Sequence, residues 1–324
     1  MNSFGRLFRV HIFGESHGQC AGICVDGCPP GIALAEADFE TDLARRRAGK
    51  KGTTARTEPD KPKIMSGLFN GFTTGAPIVI LFENTDTRSG DYSQFNEIPR
   101  PGHADFVAAV KYKGFADYRG SGHFSGRLTV GLVAAGVVAK KIIAPATVSA
   151  NICEIGGSAQ WEDIMEKCVA TGNSAGGIIK CIAQGLPVGL GEPFFDSVES
   201  LIAHIVFAIP AVKGIEFGAG FDAARMTGSS HNDTFTGADG KTATNHAGGI
   251  NGGITNGNPV VFRVAVKPTS SIAMPQQTIN IKTGEMCELK TGGRHDCCIA
   301  LRMPPVVEAA AAIALADLVV KNEQ

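Results

Sequence analysis

The sequence predicts a layered fold of the α/β or α+β class. Apolar, strand-like runs alternate with segments of helical spacing along the whole chain. One such segment, residues 126–143, is apolar nearly all round, the mark of a helix buried between other elements. No Gly/Ser/Pro-rich linker divides the 324 residues, so a single domain spanning 1–324 is expected.

Taken in order, residues 7–13 and 21–25 read as strands. A helix follows around Glu36, Phe39 and Leu43, with acids in its first turn and Arg45-Arg46-Arg47 in its last, an order that suits the helix dipole. Residues 50–62 are polar and read as loop. Strands are expected at 63–68 and 77–82, a polar loop at 84–101 and a short helix at 104–111. Beyond the buried helix at 126–143, strands at 147–155, 177–183 and 259–266 alternate with helices at 161–170 and 198–207. An alanine-rich helix over 305–320 closes the chain.

Composition narrows the function. Net charge is −1 and charged residues are 19%, so no global basic field points to nucleic acid. One Trp and three Tyr leave few stacking platforms for single strands. The longest apolar stretch, 128–139, is shorter than the roughly 18 residues that suggest a membrane span. The start of the chain lacks the charged-then-apolar pattern of a secretory leader, and nine cysteines is an odd number. A reducing, cytoplasmic setting is expected. Cys20, Cys24 and Cys28 fall in a strand-like run and read as buried or half-buried thiols in preference to zinc ligands.

Three short segments carry the chemistry: Gly14-Glu15-Ser16-His17-Gly18, Arg100-Pro101-Gly102-His103-Ala104-Asp105 and Gly292-Gly293-Arg294-His295-Asp296. Histidine trades protons near neutrality, glycine lets backbone approach a ligand, and arginine offers a fork of donors for phosphate or carboxylate. Together they predict one site, built from distant loops, that binds an anion and moves protons. Gly120-Ser121-Gly122-His123-Phe124-Ser125-Gly126-Arg127 runs into the buried helix, with Ser125 as its N-cap. It reads equally as an ordinary turn or as an anion seat, and it fits neither a dinucleotide fingerprint nor a P-loop. Arg45-Arg46-Arg47 reads as a solvated helix end or as a basic loop beside a phosphorylated ligand. His11, Glu15 and His17 share one face only if their strand continues, the minority metal reading. Asn245-His246-Ala247-Gly248-Gly249 and Lys267-Pro268-Thr269-Ser270-Ser271 add a glycine-rich turn and a cation with three hydroxyls.

These segments, in this order, resemble the signatures of the chorismate synthase family, from Gly5 to the last helix. The resemblance implies an α+β fold, a β-α-β sandwich of antiparallel sheets and helices. It implies a lyase of the shikimate pathway that needs reduced FMN. The reaction is the anti 1,4-elimination of phosphate from 5-enolpyruvylshikimate 3-phosphate to give chorismate. The usual family assembly is a homotetramer, and NADPH enters only where the enzyme reduces its own flavin. By position, His17 matches the acid that protonates the leaving phosphate, His103 the partner of the flavin N1/C2 carbonyl, and Asp296 the carboxylate that assists N5. Arg46, Arg127 and, across a loop one residue short, Lys51 match substrate-binding positions. His123, Phe124, Ser125, Ala211, Gly252, Lys267, Pro268, Thr269, Ser270, Ser271 and Arg294 match flavin contacts; no metal is implied. Two departures stand out. His123-Phe124-Ser125-Gly126-Arg127-Leu128 replaces the Arg-Ser-Ser-Ala-Arg-Glu of many members, and Cys297-Cys298 replaces Pro-Cys. A binder that kept the scaffold without its catalysis is the rival reading, and a metal-dependent hydrolase using His11, Glu15 and His17 is a second.

Overall fold

The computed structural model describes residues 2–49, 51–293 and 295–322. The first sheet contains β1 (Ser3–Phe4), β2 (Arg9–Gly14), β3 (Cys20–Asp26), β4 (Lys63–Ser66) and, beyond a small hairpin of β5 (Leu68–Phe69) and β6 (Phe72–Thr73), β7 (Ile78–Glu83). Its order is β1-β2-β3-β7-β4, antiparallel throughout. The second sheet contains β8 (Thr147–Ile155), β9 (Gly177–Gln184), β10 (Val212–Phe217) and, past the hairpin β11 (Ile250–Asn251) and β12 (Ile254–Thr255), β13 (Val260–Val266). Its order is β10-β13-β9-β8, again antiparallel. A last hairpin pairs β14 (Gln276–Ile279) with β15 (Met286–Leu289).

The helices are α1 (Glu40–Arg46), α2 (Asp105–Lys111), α3 (Thr129–Ile142), α4 (Glu162–Thr171), α5 (Val198–Phe207), the single turn α6 (Gly228–His231) and α7 (Pro304–Asn322). α3 lies on the first sheet, α7 lies on the second, and the two helices pack on each other. The result is one domain, an antiparallel β-α-β sandwich, which resolves the α/β or α+β alternative in favour of α+β. β7 and β13 show the two-residue period of a strand in their burial. In β13, Val260, Phe262, Val264 and Val266 are buried and the residues between them only partly so.

Small residues let the central helices meet. A Cβ on Gly136 of α3 would stand 2.3 Å from the Cβ of Ala309 on α7, closer than packed carbons ever come. Two buried acids on α7 tie it to its surroundings. Glu308 accepts from Arg45 Nη2 (2.7 Å), Lys140 Nζ (2.9 Å) and the Ala150 N–H (2.8 Å). Burial raises its pKa, and these donors outweigh burial to leave it below the ordinary value. Asp317 accepts from the backbone N–H groups of Arg6 (2.9 Å), Leu7 (2.7 Å) and Phe8 (2.9 Å), fixing the chain's start to its last helix.

The structure departs from the sequence expectation at several points. β10 falls in a stretch to which the sequence reading assigned no element, because Lys213, Gly214 and Glu216 break its alternation; pairing with β13 makes it a strand. The chain enters α1 and α3 through 3-10 turns at Glu36–Phe39 and Gly126–Leu128. Arg46 is no solvated helix end, for it is 2% exposed. The strand that carries His11 stops at Gly14, and His11 Nδ1 bonds Ser3 Oγ at 2.7 Å, so His11, Glu15 and His17 do not share a strand face. Among the described residues no group of three His, Cys, Asp or Glu is placed to hold a metal ion. All nine cysteines are free, with Cys28, Cys181 and Cys298 buried and the others half-buried. No described helix is long and apolar enough to cross a membrane.

The α3–α7 contact yields a stability test. Gly136→Ala gains about 1 kcal/mol of helix propensity but overpacks the contact by about 1–3 kcal/mol, so Tm is expected to fall. Ala309→Gly in the same chain is expected to recover part of that loss. Additive effects of the two substitutions in thermal melts would contradict the close approach.

Candidate active site

One cleft of about 620 Å³ opens where the C-terminus of α1, the N-terminus of α3 and the C-terminus of α5 meet the loops at 54–60, 100–104, 120–127, 267–271 and 295–303. Its volume falls within the roughly 300–1,000 Å³ of small-molecule sites. Six arginines (46, 47, 56, 100, 127 and 302) and two lysines (213 and 267) line it, against three carboxylates, Glu58, Asp60 and Asp296. A chain of net charge −1 has therefore concentrated positive charge in one hollow.

The deepest cluster is built on Asp60, which is 2% exposed and sits in left-handed backbone (φ 48°), a conformation aspartate tolerates. Its Oδ2 accepts from Arg46 Nη1 (3.0 Å) and its Oδ1 from Arg127 Nη1. Arg46 also donates from Nε to Thr129 Oγ1 (3.0 Å) and from Nη2 to the carbonyls of Gly126 (3.2 Å) and Arg127 (3.0 Å). Four of its five N–H groups are thus engaged by protein. Burial pushes the Arg46 guanidinium down to about 9, against the pull of Asp60. Arg127 donates from Nε to Asn84 Oδ1 (2.9 Å), from Nη1 to Asp60 and from Nη2 to Glu83 O (3.3 Å), which leaves two N–H groups for a ligand.

The Gly120-Ser121-Gly122 turn separates two imidazoles. All three residues have positive φ, of 57°, 69° and 51°. A Cβ on Gly120 would stand 2.6 Å from His17 Nε2, so only glycine lets that ring sit beneath the cleft wall. His17 is 9% exposed, its Nδ1 lies 3.0 Å from Ser89 Oγ, and Tyr92 meets it edge-on at 5.2 Å. On the other side Ser121 Oγ is 3.3 Å from His103 Nε2.

His103 Nδ1 lies 2.6 Å from Asp105 Oδ1, so Nδ1–H donates to the carboxylate and Nε2 is left as acceptor. Arg100, 3% exposed, grips the same carboxylate through Nε (2.8 Å) and Nη2 (2.8 Å) and reaches Ser271 Oγ (2.9 Å) through Nη1. Its guanidinium lies over the Phe95 ring, 4.2 Å from the centroid. Burial pushes His103 below its ordinary value, and Arg100 and Lys267 add to that while Asp105 opposes it. Burial raises the Asp105 pKa, but the bonds from Arg100 and His103 prevail and hold it far below the carboxylate range.

The remaining wall is the Lys267–Ser271 loop. Lys267 Nζ donates to Gly102 O at 2.7 Å, and Ser270 Oγ donates to the same oxygen at 2.7 Å. Burial, then Lys213, lowers the Lys267 pKa. Thr269 Oγ1 and Arg47 Nε are buried in this lining without a hydrogen-bond partner, as expected of groups that await a ligand. Opposite, Asp296 accepts from the Thr54 N–H (2.7 Å) and pairs with Arg302 Nη1 (3.2 Å).

Arg46, His103, His123, Phe124, Ser125, Arg127, Ala211, Lys267, Thr269, Ser270, Ser271 and Asp296 all line the cleft. His17 lies directly behind its wall, under Gly120. Lys51 is exposed and pairs with Glu166 of α4 (2.6 Å) away from the lining; Pro268 belongs to the lining loop without facing the cleft. Gly252 turns the β11–β12 hairpin, also outside the lining. Arg294 lies outside the described residues. His123 places Nδ1 2.9 Å from Gly14 O and Nε2 3.1 Å from Asn2 Oδ1. Sequence reasoning missed Asp60, Arg302 and the Arg56–Glu58 pair, in which Arg56 also holds Ser16 through Oγ (2.8 Å) and O (2.9 Å). The Arg-x-Glu-x-Asp spacing of Arg56, Glu58 and Asp60 was the available signal.

Comparison with known proteins agrees with this arrangement. A sequence profile described as chorismate synthase matches residues 8–320. A chorismate synthase of Chitinophaga pinensis is 63% identical over 325 residues, covering 100% of this chain and 98% of that protein. One of Dehalococcoides mccartyi is 43% identical, covering 99% of this chain and 97% of its own length. A solved structure described as chorismate synthase superposes with a TM-score of 0.76 at 25% identity, over 98% of this chain and 93% of that one. The chain belongs to the chorismate synthase family, lyases that convert 5-enolpyruvylshikimate 3-phosphate to chorismate at the last common step of the shikimate pathway.

Proposed function

We propose that the whole chain, residues 1–324, is one catalytic unit whose cleft holds reduced FMN against 5-enolpyruvylshikimate 3-phosphate. One observation carries this: two imidazoles on either side of the 120–122 turn adjoin a single cleft lined by eight cations. The unpartnered Thr269 Oγ1 and the glycine-rich turn fit a planar, phosphorylated cofactor in that hollow. Reduced FMN, when bound, supplies the electron density that helps phosphate leave the allylic ring carbon. The protein's own groups do the rest.

Arg127, with two free N–H groups, holds the substrate's anionic groups, and Asp60 fixes its direction. His17 donates a proton to the departing phosphate. Neutral His103, its Nδ1–H tied to Asp105, would face the flavin N1/C2 edge with Nε2 and, protonated there from solvent, would offset the negative charge of the reduced ring. Asp296, held by Arg302 and the Thr54 N–H, stands by the position where the ring hydrogen is lost. Lys267, Thr269, Ser270 and Ser271, with His123, Phe124, Ser125, Ala211 and Arg294, contact the cofactor. Lys51 and Gly252 act from outside the cleft lining of a single chain. A homotetramer is supported by bare phenylalanines such as Phe115 (91% exposed), Phe194 (86%) and Phe195 (90%), surfaces that a neighbouring subunit would cover. The setting is the cytoplasm. NADPH is needed only if the chain reduces its own flavin.

Purified chain mixed anaerobically with photoreduced FMN and substrate is expected to release chorismate, read by its absorbance. Oxidised FMN with NADPH then tests self-reduction. No product with photoreduced FMN would refute the assignment. In that assay His17→Ala is expected to lower kcat by about 10²–10⁴-fold with FMN affinity nearly unchanged, and a wild-type rate would remove His17 from proton transfer. Asp60→Ala frees two buried guanidiniums to repel each other and is expected to raise KM by about 10- to 100-fold, with Asp60→Asn intermediate. An unchanged KM would show that Arg127 needs no such anchor.

The Arg100–Asp105 pair predicts a pH-dependent stability. The folded-state pKa of Asp105 is depressed, so its stabilisation is full above the unfolded value of about 3.9 and fades as pH falls below it. Asp105→Asn leaves buried Arg100 unpaired and is expected to cost about 3–5 kcal/mol near neutrality. The gap between the two melting temperatures should narrow below about pH 4. A gap independent of pH would contradict the pairing.

A further inference from the structure

His295 lines the cleft beside Asp296 and has no part in the steps above. Its Nε2 lies 3.1 Å from the carbonyl oxygen of Gly292. A carbonyl only accepts, so Nε2 carries the hydrogen and donates it. In the neutral ring this fixes the tautomer and leaves Nδ1 as a bare lone pair. No described residue donates to that nitrogen.

An open acceptor is unusual in this hollow, because each carboxylate in the lining is already engaged. Asp60 is taken by Arg46 and Arg127, and Asp296 by Arg302 and the Thr54 N–H. Glu58 is held by Arg56 and by the Thr85 N–H (2.9 Å) and hydroxyl (3.0 Å). The cations can only donate. A ligand that brings a neutral N–H or O–H into the cleft therefore meets few free acceptors, and an unmatched donor there costs about 1–3 kcal/mol.

We propose that His295 is a ligand-binding residue whose Nδ1 accepts a hydrogen bond from a neutral N–H or O–H of a bound molecule. The inference rests on the function proposed above, in which two molecules carry such donors: the ring hydroxyl of the substrate and the ring N–H groups of reduced flavin. Burial lowers the imidazole pKa from its ordinary value and so favours the neutral ring; Arg100 and His103 act the same way, while the bond to the Gly292 carbonyl and the charge of Asp296 oppose them. Protonation of Nδ1 converts the acceptor to a donor and abolishes the contact.

The test compares the wild-type chain with His295→Leu and His295→Asn, whose Oδ1 stands near the place of Nδ1. KM for 5-enolpyruvylshikimate 3-phosphate and Kd for reduced FMN are measured from pH 5.5 to 9. At pH 7.5 His295→Leu is expected to raise one of the two constants at least tenfold, KM if the donor is the substrate hydroxyl and Kd if it is the flavin. His295→Asn is expected to restore most of the loss. The wild-type weakening of that constant below pH 6.5 should be absent in the asparagine variant. Two unchanged constants in the leucine variant, or an asparagine variant no better than leucine, would overturn the proposal. ¹⁵N NMR of the imidazole in the wild-type chain needs no variant. It is expected to show hydrogen on Nε2 alone at pH 7, and the opposite tautomer or a charged ring would also overturn it. Wild-type chain that makes no chorismate sinks the proposed function, whereas wild-type turnover with an indifferent His295→Leu sinks only this inference.

Discussion

Guanidinium groups taken out of water must be neutralised without being used up, and the cleft is organised around that constraint. A buried unpaired charge costs several kcal/mol, yet a fully paired arginine has nothing left for a ligand. Asp60 meets both demands by dividing its two oxygens between Arg46 and Arg127. The trio keeps one net positive charge. Arg46 becomes a strut, nearly saturated, and Arg127 keeps donors to spare. Asp105 plays the same part for Arg100 and at the same time sets the tautomer of His103, so one carboxylate fixes both a cation and a base.

These loops are held by rigid neighbours. The Arg127 side chain leaves from the turn that starts α3, and α3 is locked by a contact in which no Cβ fits at Gly136. Arg302 bonds the backbone of Arg46 at 2.9 Å, linking the turn before α7 to the end of α1. The two sheets clasp these helices from outside. Displacement of α3 against α7 would therefore move Arg46, Arg127 and Asp296 together, which is how a packing contact in the core bears on chemistry at the rim.

Much of the scaffold was legible because it is periodic. The buried stretch at 126–143 and the alanine-rich one at 305–320 show their type without tertiary context, and so do the short apolar runs read as strands at 77–82 and 259–266. β10 was hidden, since its hydrophobic alternation is broken by Lys213 and Glu216, and only pairing with β13 defines it. In the site, histidines and glycines announced themselves by local motif. Asp60 and Arg302 did not, because each is defined by what it touches across the fold: Asp60 by Arg46 and Arg127, and Arg302 by the backbone of Arg46 as well as by Asp296. The burial of Arg46 was misjudged for the same reason: a basic run at a helix end is ordinarily wet, and this one points at Asp60 and two carbonyls.

The positions of the two small molecules in the cleft decide which residue meets which. A crystal structure of the chain with FMN and 5-enolpyruvylshikimate 3-phosphate tests it most directly. The expected density places the substrate between Arg127 and His17, and the flavin ring against His103 and the 267–271 loop. Ligands bound elsewhere, or a cleft in which either imidazole stays out of reach of both molecules, would contradict it.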